Sequence, residues 1–244
     1  FSGACTTGVE ATNSEFVLLL NNDTEVLPGW IDSLVAEMDH HPKTGVAGSM
    51  ILRGNMRLQE AGGIIWSDGT GAHYGSNDNP CGYMYRFRRS VDFCSGASLL
   101  IRRQLWDLAQ GFDERLAPAY YEDVDVCFSS RRLGFECVYQ PNSMIVHREG
   151  STHGSSSFGL KRKQFENRHI FNEKWSIELR NQVNPPIDDR YEALLEARDR
   201  RRERHVLICD HQQLDTKTDA GSVRMNYILE EFARRHFVVH FLPV

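Results

Sequence analysis

Three places in the sequence carry side chains whose types and spacing could do chemistry. In the stretch LLLNNDTEVLPGW, an apolar run delivers Asn21, Asn22 and Asp23 to its tip. A carboxylate where a buried strand leaves a sheet can hold a hard divalent cation, which in turn binds a diphosphate with water completing the shell. An Asp that merely caps a strand-to-turn exit has the same local sequence, so the triplet alone leaves both readings open. Glu122 and Asp123 stand at the expected start of a helix, where free N–H groups and the dipole favour anionic side chains. Stability alone explains many such acids, and Asp125 fits that explanation. The aromatic pair Tyr120-Tyr121 just before them and the Gly/Ser-rich stretch downstream turn the balance toward a site. His147 ends the run SMIVH; a lone His is more often hydrogen-bonded structure than a ligand, and neither it nor His153 has further partners at zinc-site spacing.

The elements that must position these residues follow from periodicity. Residues 1–15 have helix-compatible spacing, and EFVLLL is a fully buried strand. Pro28-Gly29 turns the chain into an amphipathic helix from Trp30 that ends near His40-His41-Pro42, with Trp30 expected in the core; GVAGSMIL is a second buried strand. Residues 53–89 are rich in Gly, Asn and Asp around short runs such as GGIIW, which predicts hairpins or a long surface excursion. A strand in DFCSGASLLIRR, a helix stopped at Gly111, a helix from YYEDVDVCFSSRRLG stopped at Gly134, and two short strands broken at Pro141-Asn142 come next. The run REGSTHGSSS predicts a mobile loop before a helix from about Leu160 to Trp175. DDRYEALLEARDRRRERH is charged almost throughout and predicts a solvated linker helix, behind which HVLICD, GSVRMNYILEEFARRH and FVVHFL form a β-α-β unit.

Composition narrows the field. The 244 residues are 41% hydrophobic and 25% charged, enough for one sizeable core and a piece of a second domain. A formal charge of −5 offers no basic excess, and the Arg cluster from Arg198 to Arg204 is interleaved with acids, so no nucleic-acid partner is expected. No apolar run approaches the roughly 18–20 residues of a membrane span, and FSGACTTGVE lacks a signal-peptide layout. The expectation is a cytoplasmic chain without a transmembrane segment, peripheral to the inner face of the membrane if attached to it. The six cysteines have no CxxC pair and predict buried free thiols. A start at Phe1 without Met and an end directly after a strand-like run predict a fragment.

Four ordered blocks, ACTTGVEATNSEFVLLLNNDTEVLPGW, VDFCSGASLLIRR, GFDERLAPAYYEDVDVCFSSRRLGFECVYQPNSMIVHREGSTHG and KRKQFENRHIFNEKW, together resemble the family 2 glycosyltransferases, the inverting GT-A enzymes, over residues 1 to about 180. The resemblance implies that Asn21-Asn22-Asp23 is a DXD-type motif whose Asp23 binds the metal, Mn2+ or Mg2+, that carries a sugar nucleotide's diphosphate. It implies Asp123 as catalytic base, Glu122 beside it contacting the acceptor or the helix, His147 completing the metal site, and Gly96-Ala97 lining the acceptor side. For Gly96, easing of tight packing beside a strand is an equal alternative. The implied reaction is inverting transfer of a sugar from a nucleotide-sugar to a hydroxyl of a glycan or lipid-linked glycan acceptor of the cell-surface polysaccharide type.

Two departures stand out. Thr6 occupies a place where the family commonly has Asn, and the family's N-terminal strands, with the first nucleotide-binding acid, are not in the sequence. The chain by itself is therefore expected to lack part of the nucleotide site and to be inactive alone. The expected fold class is α/β: a GT-A mixed-sheet domain over 1–183 without its first strands, a charged helical linker over 184–204, and the opening of a second, GT-B-like or Rossmann-like domain over 205–244. A non-catalytic GT-A-like glycan-binding or scaffolding module, and a nucleotidyltransferase on a similar frame, are the rivals from other classes.

Overall fold

The structure, a computed structural model, describes residues 2–148, 157–187, 191–199, 204–217, 219–235 and 237–243. The expected mobile loop after Arg148, including His153, and parts of the expected linker lie outside the described residues. Strands β1 (Phe16–Leu20), β2 (Thr24–Val26), β3 (Thr44–Arg53), β4 (Leu58–Glu60), β5 (Gly63–Ile65), β6 (Gly71–His73), β7 (Arg89–Ser90), β8 (Ser98–Arg102) and β9 (Glu136–His147) alternate with helices α1 (Ser2–Glu10), α2 (Trp30–His40), α3 (Arg103–Ala109) and α4 (Glu122–Arg132). Helices α5 (Ser157–Lys174), α6 (Ser176–Leu179) and α7 (Tyr191–Asp199) follow. The chain divides into two units, 1–197 and 198–244.

The main sheet of the first unit runs β1-β8-β3-β9-β2, with β4 beside β3 and β7 beside β9. β1, β3 and β9 run in one direction and β8 and β2 in the other, so the sheet is mixed, as expected for the α/β class. β3 is buried along nearly its whole length, which is why TGVAGSMIL reads as a continuous apolar run instead of an alternation. One face packs α2 through Leu34 and Met38 against Ala47 and Leu100; the other carries the larger cluster, with α3, α4 and α5. Gly48 is required where it stands: a Cβ there would collide with Cys94, so the segment carrying Cys94 lies directly on β3. Inside the sheet, hydroxyls form a buried chain, with Trp30 Nε1 donating to Ser98 Oγ at 2.8 Å, and Ser49 Oγ within 2.7 Å of both Ser98 Oγ and Ser143 Oγ. Trp30 is half-buried and bonded, not simply a core ring.

Several boundaries differ from expectation for physical reasons. The two short strands predicted around Pro141-Asn142 are one strand, β9. Its register against β3 jumps from Ser49↔Gln140 to Met50↔Met144, so residues 141–143 bulge out and the proline's missing N–H disturbs no ladder bond there. The helix expected to stop at Gly111 reaches its left-handed cap one residue earlier, at Gln110 (φ 62°). Cys94, Cys127 and Cys137 are buried thiols, whereas Cys81 and Cys209 are exposed.

In the second unit, β10 (Arg204–Asp210) and β11 (Phe237–Pro243) pair in parallel, connected through α8 (Ala220–Arg234). Asp219 caps α8, its Oδ1 accepting from Ser222 N at 2.7 Å.

Helix α5 is tied to the start of α4 by buried groups. Trp175 is 0% exposed, packs on Phe128 with ring centroids 5.3 Å apart, and donates from Nε1 to Asp125 Oδ1 at 2.7 Å. Lys174 Nζ lies 2.9 Å from the same carboxylate and from Asp113, so the buried Asp125 is met on both oxygens. Asp125 therefore serves structure, as its helix-start position predicts. Trp175→Ala is expected to lower the unfolding free energy by about 3–5 kcal/mol, and Trp175→Phe, which keeps a ring but removes one of the donors that meet the buried Asp125 carboxylate, by about 1–3 kcal/mol. Denaturant unfolding of the two variants checks this; an Ala variant as stable as wild type would contradict it.

Candidate active site

The strand directions decide where the chemistry can gather. The C-terminal ends of β1, β3 and β9 and the N-terminal ends of β8 and β2 share one edge of the sheet, as the pairs Leu20↔Ser98, Arg53↔His147 and Thr24↔His147 show. Asn21, Asn22 and Asp23 fill the turn from β1 to β2, Gly96-Ala97 immediately precede β8, and His147 closes β9. In open α/β sheets this is the edge at which ligands bind.

Asp23 and His147 meet there. Asp23 Oδ1 lies 3.1 Å from His147 Nε2, with the two side chains 12% and 13% exposed. On the ring's other side Nδ1 is 3.2 Å from Gln59 Oε1, a carbonyl oxygen that can only accept. The imidazole thus bridges a side-chain amide and a carboxylate, with Nε2 facing Asp23. The Gln59 contact orients the ring, as a partner on the far nitrogen ordinarily does for a metal-binding imidazole. Gln59 is buried on β4 and is not legible as a site residue in the sequence. Among the described residues no third His, Cys, Asp or Glu joins this pair to form a metal-holding cluster.

Asn21 is held by its backbone: its N–H donates to Ala97 O at 3.1 Å and its carbonyl accepts from Thr24 Oγ1 at 2.6 Å. The bond to Ala97 ties the first turn to the Gly96-Ala97 segment, and Ala97 itself is buried. Asn21 and Asn22 also line a groove of about 560 Å3 between α1 and β1, with Cys5, Gly8 and Leu20 among its walls.

Asp123 sits one step further along the same edge. Its Oδ2 accepts from Gly96 N at 2.9 Å and its Oδ1 from Val124 N at 2.8 Å. Burial pushes its carboxyl above the usual range, and the two N–H groups oppose that by favouring the charged form. Glu122 is met differently. It is 7% exposed, its Oε2 has no hydrogen-bond partner, and burial followed by the Asp123 charge pushes it up to about 8. Both carboxyls are pushed up, and the two N–H bonds that Asp123 accepts favour it as the anion and Glu122 as the neutral acid.

The turn that aims these acids is strained. Tyr120 and Tyr121 both lie in the left-handed region, at φ 77° and 72°, which costs a non-glycine residue of order 1–3 kcal/mol. Asn167 of α5 holds it: Nδ2 donates to Leu116 O, Ala119 O and Tyr120 O at 2.6, 2.9 and 2.9 Å, while Tyr121 OH donates to Gly69 O at 2.8 Å. Asn167 belongs to the KRKQFENRHIFNEKW block, yet nothing in its sequence marks it as a clamp for a turn some 47 positions earlier.

A chain of contacts therefore closes on itself. It runs from Asp123 to Gly96, through Ala97 to Asn21, along the turn to Asp23, across to His147, on to Gln59, and from its neighbour Glu60 to Ser95, whose N–H lies 3.1 Å from Glu60 Oε1. Every site residue that the sequence singles out lies on this circuit or, for Asn22 and Glu122, next to a member of it. Because Glu122 is protonated in the folded chain up to about pH 8 and ionised when unfolded above its ordinary value near 4.3, its burial stabilises less as pH rises between those limits. The stability gap between Glu122→Gln and wild type is expected to widen in the variant's favour from about pH 4.5 to pH 8 and then level off. Unfolding curves across that range check it, and a gap independent of pH would contradict it.

Comparison with known proteins bears on the family and the fold. Residues 1–108 match the family model described as Glycosyl transferase family 2. The O-antigen biosynthesis protein RfbC of Myxococcus xanthus is 28% identical over 147 residues, covering 57% of this chain and 11% of that protein. An N-acetylglucosaminyl-diphospho-decaprenol L-rhamnosyltransferase of Mycobacterium tuberculosis is 26% identical over 180 residues, covering 64% of this chain and 54% of that protein. The chain thus spans about half or less of the length of these relatives. The crystal structure of GalNAc-T7 with UDP, GalNAc and Mn2+ superposes with a TM-score of 0.56 at 16% identity, over 74% of this chain and 36% of that one, and shows a common GT-A fold. Residues 1–108 of this chain are a glycosyl transferase family 2 domain.

Proposed function

We propose that this site transfers a sugar from a nucleoside-diphosphate sugar to a hydroxyl of a glycan or lipid-linked glycan acceptor, with inversion at the anomeric carbon. The observation that carries the proposal is the pairing of Asp123, held by two backbone N–H groups, with a Glu122 that burial keeps protonated. Each Asp123 oxygen accepts one of those bonds and keeps a further lone pair. Its raised basicity suits it to take the proton of the acceptor hydroxyl as that oxygen forms its bond to the anomeric carbon and the bond to the diphosphate breaks on the opposite side. Attack and departure on opposite faces give inversion, and no covalent enzyme intermediate is needed.

The donor set at Asp23 and His147 fits a divalent ion: a carboxylate oxygen and an imidazole nitrogen converge at 3.1 Å, the ring oriented by Gln59. Two protein ligands suit an ion that takes its remaining ligands from diphosphate and water. Asp23 and His147 would hold it, and when bound it would supply Lewis-acid stabilisation of the charge on the departing diphosphate. Asn21 and Asn22 place amides on the groove beside this pair, where a donor's polar groups could be met.

The names of the relatives, one in O-antigen biosynthesis and one a rhamnosyltransferase acting on a decaprenol-linked sugar, support an acceptor of the cell-surface polysaccharide type. Such an acceptor would place the reaction at the inner face of the membrane. No helix among the described residues is long and apolar enough to cross it.

In the complete natural polypeptide that carries these residues, Asp123→Asn keeps the shape of the side chain and removes its basicity. Transfer from the cognate nucleotide-sugar is expected to fall by about 10²–10⁴-fold in kcat, with donor KM little changed. Undiminished turnover by this variant would overturn the assignment.

A further inference from the structure

Glu60 on β4 is a carboxylate at 1% side-chain exposure, and nothing in the stretch LQEAGG marks it as part of a site. Both of its oxygens are occupied. Oε1 accepts from Ser95 N at 3.1 Å, and Oε2 accepts from His73 Nδ1 at 2.5 Å. The very next peptide N–H after Ser95 is that of Gly96, which holds Asp123 Oδ2 at 2.9 Å. Two successive peptide groups of one short strap therefore each carry a buried carboxylate, Glu60 on one and Asp123 on the other. A buried anion is costly unless paired, and the imidazole that pairs Glu60 belongs to a half-exposed residue at the end of the β5–β6 hairpin. That hairpin is fastened to the strap as well: Gly63 N donates to Phe93 O at 2.8 Å, Asp92 N donates to Gly63 O at 3.2 Å, and the His73 ring packs edge-on to Phe93 with centroids 6.0 Å apart.

We propose that the Glu60–His73 ion pair is a positioning device for Asp123, anchoring the Ser95-Gly96 strap that orients this carboxylate and balancing its charge, without itself touching substrate. This rests on the reading of Asp123 as the base. The titratable and charged groups facing Asp123 are Glu122 and Tyr121 at the start of its own helix, Glu60 on β4 and His73 on β6. Of the two remote ones, the Glu60 carboxylate disfavours the charged form of Asp123 and a protonated His73 favours it, the Glu60 influence being the larger. Removing one charge at a time should therefore move the ionisation of Asp123 in opposite senses, which loss of packing would not do.

The test uses the complete natural polypeptide, its nucleotide-sugar and acceptor, and kcat/KM profiles over about pH 5–9. His73→Gln leaves Glu60 without its cation and is expected to shift the acid limb upward by about half a pH unit or more. Glu60→Gln keeps an oxygen for Ser95 N–H, removes the anion, and is expected to shift that limb downward. Both are expected to lower kcat by about tenfold or more while leaving donor KM within about twofold. Limbs that stay in place, or move in the same sense in both variants, would overturn the proposal. If Glu60→Gln fails to fold, the half-exposed His73→Gln decides alone: an upward shift upholds the pair's role and an unmoved limb refutes it. An Asp123→Asn control separates the two failures. Full activity there removes the base assignment and this proposal with it, whereas loss there together with unmoved limbs in the Glu60 and His73 variants removes this proposal alone.

Discussion

A carboxylate taken out of water must be met by hydrogen-bond donors or give up its charge, and much of this molecule is arranged around that constraint. The peptide N–H groups of Ser95 and Gly96 meet Glu60 and Asp123, and Trp175 with Lys174 meets Asp125. Glu122, a single residue from Asp123, is left with an unmet oxygen and is held protonated instead. Three consecutive acids in one helical turn, counting past Val124, therefore take three roles, set by what lies across from each one. The helix start alone, with its dipole and open N–H groups, would have treated them alike.

The sheet supplies the geometry for this. Because β8 and β2 run against β1, β3 and β9, one edge collects two turns and two strand ends that are far apart in sequence. Close approach is needed to bring the strap onto that edge, and Gly48 opens the space into which Cys94 descends. The acids come from above the sheet, on a turn whose left-handed tyrosines are kept in place by Asn167 and by the Tyr121 hydroxyl. Strain at Tyr120 and Tyr121 is thus offset in part by helix α5, whose Asn167, well beyond the matched family region, bonds the turn that leads into Asp123.

What was legible in the sequence was legible for local reasons. EFVLLL followed by two amides and an acid marks a strand end carrying polar groups, SMIVH marks another, and the glycines at the ends of α3 and α4 mark where those helices stop to within a residue. Pro141-Asn142 misled because a proline breaks a ladder only where its N–H is wanted, and the bulge removes that demand. Gln59, Glu60, His73 and Asn167 were invisible for a different reason. Each acts on a group well removed in sequence, a backbone group, an imidazole or, for His73, the Glu60 carboxylate, and neither periodicity nor spacing records such a contact. Cys81 and Cys209 show the limit of composition, since burial of a thiol depends on the element it lands in.

The account turns on which of two neighbouring carboxyls holds a proton. A site-resolved titration of the Asp123 and Glu122 side-chain carboxyls by carbon-13 NMR reads this directly. The structure predicts that near neutral pH Asp123 gives the shift of a carboxylate and Glu122 that of an acid, with Glu122 losing its proton at about 8. An ionised Glu122 beside a protonated Asp123 would contradict the assignment of the base and the arrangement of the site built around it.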